Sequence, residues 1–386
     1  VNGVIDHQKV KSAMEAIVRT QEAFRTTFTT INHQLVQRIT DTAEVTVDII
    51  VSEKEHIGFH DYVRPFDLEN GPLFRVSIIK TPTESLNYLL FVIHHIISDG
   101  LSMKCIIEDF IVSYQRKEIA SPALQYKDYA AWLQSEAYGK LLQSQEQYWT
   151  QTFENGFSRL ALPVDYKRSE LLDDDGGEVI RTLTVQQSEA LQALMKGANV
   201  TAFSMFITLL STLLSRICQS EEVIIGTPVV NRPHDDLMKI VGFFTNMLPI
   251  VNQIGPEQSF SSQLQQVHQK VLRALENQQY LFEDLVNKVE PQRKPGHNPI
   301  FDVVLEFDNL DMPGLTLDKA SVDFVSQHSQ KSKFDLLLQV APSEESFRLR
   351  FQYRKCLFEA STIQWMMDSL LALIDDVVAE PEVKIH

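Results

Sequence analysis

Reactive side chains concentrate at His94-His95-Ile96-Ile97-Ser98-Asp99-Gly100. An imidazole near an aspartate can serve as part of a metal site, as a dyad that activates a hydroxyl or thiol, or as a base and hydrogen-bond partner for an attacking amine or hydroxyl. His56, His60, His234, His268 and His297 show no ligand spacing with the pair, which disfavours metal. Ser98 and Ser102 lie close by, but neither sits in a G-x-S-x-G elbow, which disfavours a serine hydrolase. What remains is His95 acting in a direct acyl transfer with no covalent enzyme intermediate. An unperturbed imidazole, titrating at about 6.5, can be neutral and accepting there. Asp99 either ionises against a distant arginine and fixes the loop, or holds the imidazole directly, because a buried carboxylate needs such a partner. Gly100 allows close approach of backbone or substrate. A strand end with satisfied core histidines and an Asp-Gly turn is the bland alternative, and it stays open at this point.

Residues 86–93, short, apolar and rich in aromatic and β-branched types, read as a buried strand that delivers the histidines at its end. Side chains alternate along a strand, so His94 and His95 are expected to face opposite ways, one structural and one chemical. Ser102 is expected to cap a helix to about Tyr114, with Ile106, Ile107, Phe110 and Ile111 as its apolar stripe. Upstream, Asp6 caps a helix to about Thr20, residues 21–28 form a helix-to-strand junction, and strands follow at 44–51 and 73–79. A helix opening at Tyr126 is expected to continue to Trp149. The charged, glycine-ended stretch at 173–177 reads as a connection between lobes, dividing the chain into 1–170 and 171–386. Beyond it come a strand (178–183), a helix (186–196), a buried helix capped near Thr201 and a strand (223–225). An irregular stretch at 226–233 precedes a helix at 260–279 and a proline-rich loop at 291–299. Strands at 301–307, 334–340 and 347–353 and a helix after Ser361 complete a mixed α/β (α+β) pattern.

With 386 residues, 44% hydrophobic and 22% charged, the chain has an ordinary globular composition and enough length for two domains. A formal charge of −16 opposes a nucleic-acid partner, which needs a basic footprint. Cys105, Cys218 and Cys356 are odd in number and far apart, which implies buried thiols and a reducing cytoplasm. The uncharged run at 197–215 carries polar residues and helical spacing, so it reads as a core helix and not a membrane span, and the polar, charged amino terminus does not read as a signal peptide.

The heptad matches the HHxxxDG signature of the condensation domains of non-ribosomal peptide synthetases, which this chain resembles, and further signatures stand in the family's order. Residues 22–28 resemble HExLRTxF, with Gln21 at the usual histidine and Thr20 at a usual arginine. Residues 126–132 resemble YxDYAxW, and 241–246 resemble GxFxN. Residues 277–283 are similar to NQDYPFE, with Gln279 for Asp and Leu281 for Pro, and Arg293 with Asn298-Pro299-Ile300 resembles RxxxxNPL. The family's first signature, SxAQxRxW, is absent, so the chain is expected to begin inside the domain or to lack that piece.

The resemblance implies two chloramphenicol-acetyltransferase-like lobes in a V-shaped pseudo-dimer around a central tunnel. Donor and acceptor peptidyl carrier proteins would dock on opposite faces, in the context of a neighbouring adenylation domain and with no nucleic-acid or membrane partner. No cofactor would be bound directly, because the carriers' phosphopantetheine arms hold the substrates. By resemblance His95 is the catalytic position, and His94, Asp99 and Gly100 support it. Asp99 would pair with an arginine from the other lobe, and Arg232 matches that position. Arg25 and Asn246 match motif positions, Arg25 as support and Asn246, with Ser102, as tunnel residues; the pair Phe243 and Phe244 is expected to pack. Related domains that epimerise tend to continue the signature as DGVSW, whereas here Leu101-Ser102-Met103 follows. A non-catalytic carrier-binding domain of the same fold is the remaining alternative.

Overall fold

Asp6 starts the first helix by accepting from Gln8 N–H at 2.8 Å and Lys9 N–H at 3.2 Å, which satisfies two otherwise orphaned donors. That helix, α1 (His7–Thr20), buries Val10, Met14, Ile17 and Val18 on one stripe, as the helical spacing requires. There follow β1 (Thr26–Ile31), β2 (Gln34–Ile39), β3 (Val47–Val51), β4 (Phe74–Lys80), β5 (Asn87–Ile93), α2 (Gly100–Tyr114), α3 (Tyr126–Leu133) and α4 (Glu136–Thr152). The chain continues through β6 (Gly176–Thr182), α5 (Val185–Ala198), α6 (Ala202–Cys218), β7 (Glu222–Val229), β8 (Asn246–Gln253), α7 (Phe260–Glu276) and α8 (Phe282–Val289). It ends with β9 (Val303–Phe307), β10 (Leu315–Leu317), β11 (Ala320–Val322), β12 (Leu336–Pro342), β13 (Phe347–Arg354) and α9 (Ala360–Ala379). This computed structural model describes all residues except 56, 84–85, 172, 291–292, 309–314, 319, 324–330, 344, 383 and 385–386. His56 and the first two positions of the proline-rich loop therefore lie outside the described residues.

Two compact units divide the chain, and neither is contiguous. The first comprises 1–139, 230–245 and 310–327; the second comprises 140–229, 246–309 and 328–386. This division differs from the expected split at 170/171: it falls inside α4, and the chain returns twice to the first unit. Arg232, expected from the opposite lobe, thus belongs to the same unit as Asp99.

In the first unit, β3, β4 and β5 form a sheet in that order, with β3 parallel and β5 antiparallel to β4. Its core joins Val10, Met14 and Ile17 of α1 to Val76 and Ile78 of β4 and Ile106 and Phe110 of α2. The second unit is built on a six-stranded sheet of order β6-β13-β12-β9-β7-β8. Strand β12 shows why one face is core: Leu336, Leu338 and Val340 are buried while Leu337 and Gln339 between them are only half-buried. Helix α6 is buried along Ser204 to Leu214 and is capped by Thr201, whose Oγ1 accepts from Ser204 N–H at 3.1 Å. No single helix among the described residues is long and apolar enough to cross a membrane.

Several local expectations are corrected. Asp99, not Ser102, caps α2, and Gly100 is its first residue. The helix expected to run from Tyr126 to Trp149 is two, because Ser135 caps a new start, its Oγ accepting from Tyr138 N–H at 3.2 Å. Residues 226–229, read as irregular, continue β7, and β2, β8 and α8 have no counterpart in the expected pattern. Of the three free cysteines only Cys105 is buried; Cys218 and Cys356 are half-buried.

Candidate active site

Strand β5 stops at Ile93, and the next two residues leave it in a single 3-10 turn, His95–Ile97. His94 closes that turn: its Nδ1 accepts from Ile96 N–H at 3.0 Å, which in the neutral ring leaves the proton on Nε2. Its half-buried ring meets Phe66 edge-on at 5.9 Å between centroids. His95 is exposed, and its ring stands edge-on to Phe243 at 5.1 Å. Neither nitrogen of its imidazole has a hydrogen-bond partner among the described residues. The two histidines do face different surroundings, as alternation implied, although the geometry comes from a turn and not from the strand.

Asp99 does not hold the imidazole. Its Oδ1 accepts from Ser102 N–H at 2.8 Å, from Ser102 Oγ at 2.7 Å and from Arg232 Nη2 at 2.9 Å, and its Oδ2 accepts from Phe244 N–H at 3.1 Å. The carboxylate and guanidinium side chains are 1% and 0% exposed, so this is a buried pair, and its charges are tolerated because hydrogen bonds surround both. Arg232 also donates from Nη1 to the carbonyls of Leu237 and Ile240, and its guanidinium lies 4.0 Å above the Phe244 ring. One arginine therefore fastens the 230–245 segment to the start of α2.

Ser102, expected in a substrate channel, is fully buried and belongs to this knot. Its one hydroxyl proton goes to Asp99 Oδ1 or to the Gly242 carbonyl at 2.9 Å, while Gly242 N–H at 3.1 Å and Arg232 Nη2 at 2.9 Å donate to its oxygen. Such a hydroxyl has nothing left to offer a substrate. Gly242 is required by shape, since a Cβ there stands 2.2 Å from Tyr126 Cδ2. Tyr126 donates its hydroxyl to the Phe243 carbonyl at 2.7 Å, and burial first, then the Asp99 charge, pushes its pKa up to about 12, so it stays a donor. The Tyr129 ring packs on Phe244 at 4.7 Å, which makes Phe244 core, but Phe243 is 40% exposed and is not packing alone.

Other motif residues brace the same unit. Gln21, at the position where the resembled motif has histidine, is buried and donates to the Lys239 carbonyl at 3.1 Å while accepting from Val241 N–H at 3.1 Å. Arg25 donates from Nε to the Val18 carbonyl at 3.0 Å and from Nη1 to the Thr40 carbonyl, so it ties the end of α1 to the strand-end after β2. Buried Cys105 points its thiol at the Met238 carbonyl, 3.2 Å away, and desolvation raises its pKa to about 11, which removes it as a nucleophile near neutrality. Asn246 lies in the second unit and is also buried. Its Nδ2 donates to the Gln278 and Tyr280 carbonyls, both at 2.8 Å, and its Oδ1 accepts from Phe282 N–H at 3.0 Å. It therefore fixes the turn into α8. Of the expected site residues, the structure joins Asp99, Ser102 and Arg232 directly and leaves His95 beside them as the exposed functional group. Gln21, Gly242 and the hydroxyl of Tyr126 were not singled out as parts of one assembly, because their sequence motifs show identity and not the chain segment each will meet.

Residues 1–386 match the family model described as Condensation domain. Tyrocidine synthase 2 of Brevibacillus parabrevis is 32% identical over 386 residues, covering 99% of this chain and 11% of that protein. Bacitracin synthase 1 of Bacillus licheniformis is 31% identical over 388 residues, covering 100% of this chain and 7% of that protein. The chain thus spans a small part of the length of these relatives. Among solved structures, the X-domain from teicoplanin biosynthesis superposes with a TM-score of 0.89 at 20% identity over 100% of this chain and 90% of that one. A four-domain nonribosomal peptide synthetase bound to AMP and glycine gives 0.84 at 21%, over 98% and 30%. The epimerization domain from the third module of tyrocidine synthetase B gives 0.78 at 21%, over 97% and 91%. At these identities the structural likeness is one of fold, whereas the full-length family match reaches further: this chain belongs to the condensation-domain family.

Proposed function

We propose that the chain forms amide bonds, transferring an acyl or peptidyl group from a thioester on one carrier protein to the amine of an aminoacyl thioester on a second. The acceptor nitrogen attacks the donor thioester carbonyl, the carbon–sulfur bond breaks, and the proton lost by the nitrogen goes to the departing thiolate. His95 is assigned to the amine: its neutral imidazole accepts a hydrogen bond from the attacking N–H, orients the lone pair and passes the proton on. The observation that carries this reading is that His95 is exposed and unclaimed, on a turn flanked by His94's cap and by the Asp99–Arg232–Ser102 knot. A reactive group held by a rigid support, with neither ring nitrogen hydrogen-bonded among the described residues, is what a positioned base needs. The carriers' phosphopantetheine arms would bring both thioesters, and a neighbouring adenylation domain would load the acceptor; the synthases among the relatives support that context.

The reading is tested by loading candidate donor and acceptor thioesters on two carrier proteins, adding the chain and following the acceptor carrier by mass spectrometry, with chiral analysis of the released residue. Growth of the acceptor by the donor's mass is expected. Conversion of an L-aminoacyl carrier to its D form without transfer assigns epimerisation instead, and binding of carriers with neither change assigns a recruiting role.

A further inference from the structure

His95 is exposed, and with neither ring nitrogen hydrogen-bonded among the described residues, no polar contact selects one direction for its imidazole. A side chain on a surface turn has several staggered χ1 wells to visit and a broad χ2. A group that aligns an attacking amine has to be found in one of them, because orientation is what it contributes to the rate. The ring contact that His95 makes among the described residues is with Phe243, at 5.1 Å between centroids and with the planes at 86°. That is the edge-to-face arrangement aromatic rings prefer, and it has a direction that an aliphatic contact lacks.

Phe243 is in turn held by its main chain. Its carbonyl accepts from the Tyr126 hydroxyl at 2.7 Å, Gly242 N–H before it donates to Ser102 Oγ at 3.1 Å, and Phe244 N–H after it donates to Asp99 Oδ2 at 3.1 Å. The backbone is thus fastened to α3 and to the start of α2, all within the first unit, while the Phe243 ring stays 40% exposed. Exposure alone says little, since single apolar side chains at a surface are common. A fixed backbone whose exposed ring meets the one unclaimed imidazole says more. We infer that Phe243 is a positioning residue: its ring holds the His95 imidazole in the direction that meets the acceptor amine. This rests on the acyl-transfer reading above. It also gives Asp99 a route to His95 that needs no bond between them, because Asp99 sets Phe244 N–H, the main chain sets the Phe243 ring, and that ring sets the imidazole.

The test compares the wild-type chain with Phe243→Leu, which keeps apolar bulk and loses the ring, and Phe243→Tyr, which keeps the ring, each first shown to melt with the wild type. In single-turnover transfer between loaded carriers, Phe243→Leu is expected to lower the rate at saturating carrier about three- to tenfold, the cost of freeing one side chain among its rotamers. The half-saturating carrier concentration is expected to stay unchanged, and Phe243→Tyr to keep the wild-type rate. In a His95→Ala background Phe243→Leu is expected to cost nothing more, since the group it positions is gone. Three-bond couplings about χ1 of His95 in isotope-labelled protein read the same effect without substrate: one staggered well in wild-type and Phe243→Tyr, averaging over wells in Phe243→Leu. An unchanged rate, or averaged couplings already in wild-type, overturns the proposal. A change in the half-saturating concentration alone, or an equal loss in the His95→Ala background, also overturns it and makes Phe243 a wall against the substrate. If wild-type transfers nothing, the acyl-transfer reading falls, while the couplings still decide whether Phe243 orients His95.

Discussion

Cutting the His95 side chain back to alanine removes an imidazole that makes no hydrogen bond among the described residues and touches Phe243 by its edge. His95→Ala is therefore expected to keep its thermal midpoint, changing stability by no more than about 0.5 kcal/mol, as exposed substitutions usually do. Asp99 and Arg232 belong to the opposite case. Both side chains are buried, and each is the other's counter-charge, so Arg232→Ala strands a carboxylate and costs about 3–5 kcal/mol in a denaturant titration. The same protein is expected to lose transfer because the start of α2 and the 230–245 segment come apart. Asp99→Asn keeps the shape but leaves the guanidinium without its anion, and its midpoint is expected between the two. The heptad was legible as chemistry from residue types alone, yet types left Asp99 undecided between the imidazole and an arginine. Only the resemblance pointed to Arg232, 133 positions away in the chain. The tunnel role expected of Ser102 and Asn246 comes only from the resemblance; sequence shows a polar side chain without showing which backbone groups consume it.

At the scale of elements, the knot depends on segments distant in sequence meeting without a gap. Gly242→Ala drives a methyl group into the Tyr126 ring, so it is expected to destabilise the fold by about 1–3 kcal/mol, with part of the loss recovered in the pair Gly242→Ala, Tyr126→Leu. Thermal melts of the single and double variants measure the coupling. In the second unit, Glu306 on β9 has its carboxyl pushed above the usual range, mainly by burial and further by Asp308, with Arg350 pulling the other way. A raised carboxyl means that the folded chain binds the proton more tightly than the unfolded one, so this group's contribution to stability falls as pH rises through its folded value. Glu306→Gln is thus expected to raise the melting temperature at pH 8, with the gain fading as the pH drops toward the unfolded carboxylate value of 4.5. A gain that is equal at both ends contradicts this cause. The helices α1, α2, α7 and α9 are legible because each buries a stripe, and α6, buried on all faces, by the helical spacing of its apolar residues. Helix α8 and strand β2 were not: α8 is a short helix set by contacts from Asn246 to the turn before it, and β2 is mostly exposed and carries little apolar pattern.

For the whole molecule, the mixed α/β class and the family were readable, while the division into units was not. Composition placed a boundary at the charged stretch near 173–177, but a compact unit is defined by packing, and 230–245 packs with the first unit through Arg232, Gln21 and Tyr126. That return of the chain puts a motif arginine from the second half beside a motif aspartate from the first. A condensation-domain fold also occurs in chains named for epimerization, so fold alone does not decide the reaction. The decisive measurement is single-turnover transfer between two loaded carrier proteins, by wild-type and His95→Ala, each first shown to have the same melting temperature. The account expects amide formation on the acceptor carrier by wild-type and a rate lower by about 10²–10⁴ in the variant, the range of a positioned acid–base group. Transfer by His95→Ala at the wild-type rate contradicts it.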